Sequence, residues 1–138
     1  MANKELVYKK LESIQRCIIR IQLKTPKNVD TLRTDYDLQD ILSVNVERIV
    51  QLSTDIGLHI LSTNFQSRPG TMAQVYDELE SNQIIPPEIA QIMKKTVGFR
   101  NIAVHEYSEL DWNIVFSICT QGISVFKDYA SSILQYLD

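Results

Sequence analysis

The sequence predicts an all-α protein, an antiparallel bundle of about five helices forming one domain over residues 1–138. Three observations carry this prediction. Apolar residues recur at steps of three and four through most of the chain, the spacing of one helix face. The four glycines and four prolines fall mostly between the periodic segments. No stretch alternates apolar and polar residues in the rhythm of a strand, and short connections make successive helices antiparallel neighbours.

The first segment runs from about residue 3 to 24, with Val7, Leu11, Ile14, Ile18 and Ile21 in one stripe. Thr25-Pro26-Lys27-Asn28 ends it, because proline has no amide hydrogen to donate and clashes with the preceding turn. A longer segment, from about 34 to 64, carries Leu38, Leu42, Ile49, Leu52 and Ile56 at the same steps. Two positions of that stripe are polar, Asn45 and His59, and Arg48, Leu52, Asp55 and His59 lie along one line of the helix surface. Polar groups bordering an apolar stripe need partners, so the line suggests a polar network, with solvated charge as the plainer reading.

Gln66-Ser67-Arg68-Pro69-Gly70 reads as a loop, and Thr71-Met72-Ala73-Gln74 as a capping box that opens a short helix to about Asn82. Pro86-Pro87-Glu88 starts a fourth helix, Pro87 suiting the first helical position and Glu88 the positive end of the dipole. Its inner face is Ile89, Ile92, Met93, Thr96 and Val97, and Arg100 continues the direction of Ile89, Met93 and Thr96 toward packed structure. After a break at about Glu106 to Leu110, Asp111 can cap a fifth helix containing Ile114, Ile118, Gly122, Val125, Tyr129 and Ile133.

A chain of 138 residues can bury a core without metals or crosslinks, and 44% hydrophobic with 22% charged residues is an ordinary globular balance. No apolar run approaches the roughly 20 residues that cross a bilayer. The N-terminal residues lack the apolar core of a signal peptide, so a cytoplasmic protein without a membrane partner is expected. Cys17 and Cys119 sit among isoleucines and read as small buried hydrophobes. A net charge of −3 argues against a generic nucleic-acid binder, but residues 1–28 carry +5 and the remainder −8. Lys9, Arg16, Arg20 and Lys24 share a strip of the first helix, which is either a solvated face or an RNA-facing surface.

The most informative stretch is Gly98-Phe99-Arg100-Asn101-Ile102-Ala103-Val104-His105-Glu106-Tyr107. It brings a guanidinium, an amide, an imidazole and a phenol within about two helical turns. No Cys/His spacing resembles a zinc site, no acidic cluster a two-metal nuclease centre, and no glycine-rich loop a phosphate cradle. No cofactor is expected, and acid–base and electrostatic chemistry remains. An imidazole can exchange protons at cellular pH, and an arginine fits a phosphate bidentately. RNA carries its own nucleophile in the 2′-hydroxyl, so such a pair could suffice for metal-free strand cleavage. Asn101 and His105 stack on one helix face, whereas Arg100 lies about 140° around the axis from His105. The two converge only if the helix unwinds near His105 or a second subunit closes the cleft. The bare Arg-to-His spacing also arises by chance, so the residues alone leave catalysis and a purely interactive role both open.

The run GFRNIAVHEY, with DWNIV soon after it, resembles the signature of the HepT-like members of the HEPN superfamily: Arg, a polar residue, three variable residues and His, then Tyr two further on. Glu47-Arg48 followed by Asp55 and Ile56-Gly57-Leu58-His59 is similar to the family's second helix, and Ile85-Pro86-Pro87-Glu88 to the start of its fourth. The resemblance covers about residues 34 to 127. It implies an all-helical homodimer that acts as a metal-independent ribonuclease toxin on transfer or messenger RNA. Arg100 and His105 would be the catalytic pair, with Asn101, Arg48 and Asp55 in support and the Asp55 carboxylate orienting Arg100 or His105. Tyr107 would receive AMP from a cognate minimal nucleotidyltransferase, the antitoxin. His59 is expected to be a satisfied core or interface histidine. The alternative is a non-catalytic helical subunit that binds such a nucleotidyltransferase.

Overall fold

The structure, a computed structural model, describes residues 1–138. In chain order it contains α1 (Lys4–Lys24), α2 (Val29–Thr34), α3 (Tyr36–Asn64), α4 (Met72–Ser81), α5 (Pro87–His105), a single 3-10 turn (Tyr107–Glu109), α6 (Trp112–Thr120) and α7 (Gly122–Leu137). There are no strands, and the all-α bundle expected from the periodicity is what forms. The central member is α3, which packs against α1, α2, α4, α5 and α6 and has α1 as its most extensive partner.

The five expected segments become seven helices for two local reasons. Past the Pro26 stop, Asn28 accepts a hydrogen bond from the Thr31 amide and nucleates the short α2. The buried Gln39 amide then donates to the Leu32 and Arg33 carbonyls at 2.9 and 3.1 Å, satisfying acceptors that a helix end leaves open. The last segment breaks into α6 and α7 at Gln121-Gly122. There the Thr120 hydroxyl bonds back to the Phe116 carbonyl, a contact that bends helices, beside a glycine of low helix propensity.

Capping residues mark the other boundaries. Asp35 caps α3, Thr71 caps α4 and Asp111 caps α6, each accepting from a backbone amide two or three residues on. The Thr71 box closes differently from its standard form, because the Gln74 side chain accepts from the Gly70 amide rather than from Thr71. Pro87 occupies the first turn of α5, as its missing amide hydrogen allows.

Thirty-two buried hydrophobic residues form one continuous core. Around Gly57, α3 meets α4 and α7 closely. The buried Tyr129 hydroxyl donates to the Ser53 carbonyl at 2.6 Å, Tyr76 and Thr54 exchange a hydrogen bond of 2.8 Å, and the two tyrosine rings meet edge to face. Gly57 permits this approach: a Cβ there would lie 2.7 Å from Val75 Cγ1, 2.8 Å from Leu79 Cδ1 and 3.3 Å from the Tyr129 hydroxyl. Gly57→Ala gains about 1 kcal/mol of helix propensity but overpacks by about 1–3 kcal/mol, so a net loss is expected. Gly98, with nothing within 4 Å of its virtual Cβ, should instead gain about 0.5–1 kcal/mol on Gly98→Ala. Urea midpoints moving in opposite directions for the two variants would bear this out; a shift in the same direction would not.

No helix is long and apolar enough to cross a membrane. Cys17 and Cys119 are free and buried, and burial pushes the Cys119 thiol up to about 12, so both pack as small hydrophobes.

Candidate active site

The GFRNIAVHEY stretch forms the last two turns of α5 and the turn that follows. Val97, Phe99 and Ala103 are buried and anchor this end of α5 to the core. The same helix leaves Asn101, Val104 and His105 exposed and Arg100 half-buried. The helix remains intact through His105, its end closed by the Glu106 amide donating to the Ile102 carbonyl at 2.7 Å. Unwinding therefore does not bring Arg100 and His105 together, and within one chain they point to different sides of α5.

Arg100 reaches across to α3. Its Nη2 donates to Gln51 Oε1 and its Nη1 to Asn101 Oδ1, both at 3.3 Å. Gln51 Nε2 donates in turn to Asp55 Oδ1 at 2.9 Å, and Lys10 Nζ on α1 lies 3.8 Å from Asp55 Oδ2. The amide of Gln51 thus bridges a carboxylate and a guanidinium. Asp55 makes no direct hydrogen bond to Arg100 or His105; its link to Arg100 runs through Gln51.

Glu47 and Arg48 complete this surface. A shallow recess of about 290 Å³ is walled by Val44, Glu47, Arg48, Gln51, Arg100 and Val104. Burial raises the Glu47 carboxyl above its ordinary range, while Arg100 and Arg48 pull it back down. Arg48 has no carboxylate within ion-pair distance.

The polar line Arg48, Asp55, His59 does not form one network. His59 makes no hydrogen bond to the motif; its Nε2 accepts from the Asn3 amide at 2.9 Å, so it serves the start of α1. Asn45 is buried and spends its amide on the Ile41 carbonyl of its own helix.

Tyr107 lies in the 3-10 turn, and its hydroxyl donates to Asp40 Oδ1 of α3 at 2.7 Å. Its ring meets Trp112 edge to face, with centroids 5.9 Å apart. Burial and the Asp40 hydrogen bond raise the phenol pKa, so the group is a protonated donor at cellular pH. Asp40 and Gln51 were not singled out from the sequence. The available signal was a polar row on α3, Asp40, Glu47, Gln51 and Asp55, at steps of seven, four and four.

The site therefore has two fixed pairs on one surface, Arg100 with Gln51 and Tyr107 with Asp40, and an exposed imidazole for which no hydrogen-bond partner exists within the chain. No three His, Cys, Asp or Glu side chains are grouped as metal ligands.

Comparison with known proteins bears on this arrangement. A family model described as ribonuclease HepT-like matches residues 14–133. The chain is 30% identical over 129 residues to the mRNA nuclease HepT of Shewanella oneidensis, covering 94% of this chain and 96% of that protein. It is 29% identical over 132 residues to the tRNA nuclease HepT of Aphanizomenon flos-aquae, covering 96% and 90%. Among solved structures, it is similar to the tri-AMPylated HEPN toxin of Shewanella oneidensis in complex with MNT antitoxin, with a TM-score of 0.87, 30% identity and coverage of 94% and 97%.

Proposed function

Because this chain belongs to the ribonuclease HepT-like family, we propose that it is a metal-independent endoribonuclease toxin, silenced by AMP transfer from a cognate minimal nucleotidyltransferase antitoxin. It acts in the cytoplasm as a homodimer, on transfer or messenger RNA. The observation that carries this reading is the exposed end of α5 and its following turn, where Arg100, Asn101, His105 and Tyr107 present a guanidinium, an amide, an imidazole and a phenol beside α3.

Arg100 and His105 are the catalytic pair, Asn101 and Gln51 set the guanidinium, and Arg48 adds positive charge nearby. The 2′-hydroxyl of RNA attacks the adjacent phosphorus while the bond to the 5′ oxygen breaks, leaving a 2′,3′-cyclic phosphate and a 5′-hydroxyl end. His105 takes the 2′ proton, and the imidazolium returns a proton to the departing oxygen. Arg100 supports the charge that builds on the phosphoryl oxygens. Since α5 holds Arg100 and His105 about 140° apart, the site is completed in the dimer, with Arg100 of one protomer facing His105 of the other. Tyr107 is the acceptor of AMP, which adds bulk and a negative charge where RNA phosphates must come.

Purified protein free of its partner should cleave RNA, and at an undiminished rate in EDTA. A requirement for added metal would contradict the mechanism. If the partner-free protein leaves RNA intact, its expression does not slow growth, and Arg100→Ala disperses the dimer, the chain is instead a non-catalytic subunit.

A further inference from the structure

On the side of α3 facing α1, a second recess of about 590 Å³ opens next to the candidate active site. Arg16 and Arg20 of α1 and Arg48 of α3 wall it, with Ser13, Asn45 and Gln51 as uncharged hydrogen-bonding neighbours. No carboxylate lines it, and none lies within 4.0 Å of any of these three guanidinium groups. The side-chain partner of Arg16 is Ser13, at 3.1 Å. Cys17 lies in the floor, where Arg48 and Arg16 both act against the upward push of burial on its thiol, so their fields converge on this recess.

Three unpaired arginines in one concavity repel one another and invite an anion. Arg48 is the hinge of the arrangement, because it also walls the Arg100 recess and a third one shared with Arg20, Asp40 and Asn45. Arg48 thereby joins the Arg16 and Arg20 recess to the Arg100 recess, with Glu47 standing beside Arg48 and Arg100, and Asp40 beside Arg20 and Arg48, at its edges. The basic strip of the first helix is accordingly not uniform. Lys9 pairs with Glu5 at 3.5 Å in solvent, whereas Arg16 and Arg20, one turn apart, turn toward α3.

We propose that the α1/α3 recess is a phosphate-binding track that holds the RNA strand leading into or out of the Arg100 site. This rests on the ribonuclease reading above. Three forked guanidiniums around a recess whose wall holds no carboxylate, with the Ser13 hydroxyl beside them, suit the closely spaced oxygens of a phosphate backbone better than the isolated carboxylates of an acidic protein segment. Its continuity with the Arg100 recess makes the strand rather than a free anion the fitting occupant.

The test uses the full-length His105→Ala protein, which binds without cutting, and a fluorescein-labelled unstructured RNA of about fifteen nucleotides. Adding Arg16→Ala with Arg20→Ala should weaken binding about tenfold at physiological salt and make the plot of log affinity against log salt shallower by about 1.4, at about 0.7 per lost phosphate contact. Arg16→Lys with Arg20→Lys should keep the slope. Lys95→Ala with Lys127→Ala, which removes the same charge from other surfaces, should alter neither quantity. Unchanged binding and slope in the Arg16, Arg20 double-alanine variant would overturn the proposal. So would retained RNA binding combined with lost association with the nucleotidyltransferase, since the recess would then be a protein-docking site. Cleavage by the wild type is scored separately: a wild type that fails to cut, with RNA binding still dependent on Arg16 and Arg20, refutes the enzyme reading and supports the track.

Discussion

His105→Ala is expected to lower RNA cleavage by about a thousandfold or more, the range a positioned acid–base group supplies, while leaving the protein folded and dimeric. The side chain is exposed and anchors nothing within the chain, so its removal opens no cavity and strands no buried partner. Circular dichroism and the elution volume should match the wild type. Arg100→Ala should give a comparable loss, because no other guanidinium shares its bonds to both Gln51 and Asn101. Gln51→Ala tests the positioning bridge: it frees Arg100 from Asp55 without removing its charge, so a loss of about tenfold, appearing mainly in kcat, is expected. A His105→Ala protein that cuts at the wild-type rate would end the assignment of the imidazole.

Tyr107→Phe separates control from chemistry. The variant should still cleave RNA and slow growth, but it should be refractory to the nucleotidyltransferase, turning a neutralised toxin into an unrestrained one. The lost hydrogen bond to Asp40 is solvent-accessible and worth about 1 kcal/mol, too little to unfold the bundle. In the wild type, AMP attachment to Tyr107 would have a built-in consequence. The phenol that donates to Asp40 at 2.7 Å loses its proton donor when AMP is attached, and the new phosphodiester charge faces the carboxylate. Repulsion from Asp40 is expected to turn the modified side chain away, and Arg48 and Arg20, which share a recess with Asp40, offer it positive charge. Mass spectrometry after incubation with the partner and ATP should find AMP on the wild type and none on Tyr107→Phe. Full neutralisation of the unmodified variant would mean that the antitoxin works by capping instead.

Most of the bundle is legible in the sequence because helix periodicity and caps are local signals. The stripe Val7, Ile14, Ile18 and Ile21 becomes the buried face of α1, and the N-terminal boundaries of α3, α4 and α5 lie within two residues of their sequence signals. What was hidden depends on contacts distant in sequence. Nothing local distinguishes Gln51 from the other exposed polar residues of α3 until Arg100, 49 residues later, is folded against it. Asp40 gains its meaning from Tyr107 across 67 residues. His59 sits in the same line as Asp55, yet it serves the amide of Asn3 because α1 crosses α3 there. The motif itself was readable by resemblance. Its geometry was not, since the periodicity of α5 separates Arg100 from His105 and only the intact helix end excludes the unwound alternative.

Subunit complementation tests the composite dimer site most directly. Arg100→Ala and His105→Ala chains, each inactive alone, are unfolded, mixed in equal amounts and refolded together, with wild type carried through the same cycle. If Arg100 of one protomer works with His105 of the other, half of the dimers are mixed and each retains one intact site, so activity returns to about a quarter of the refolded wild type. No recovery above the two parents, with the wild type fully restored, would contradict a site shared between subunits.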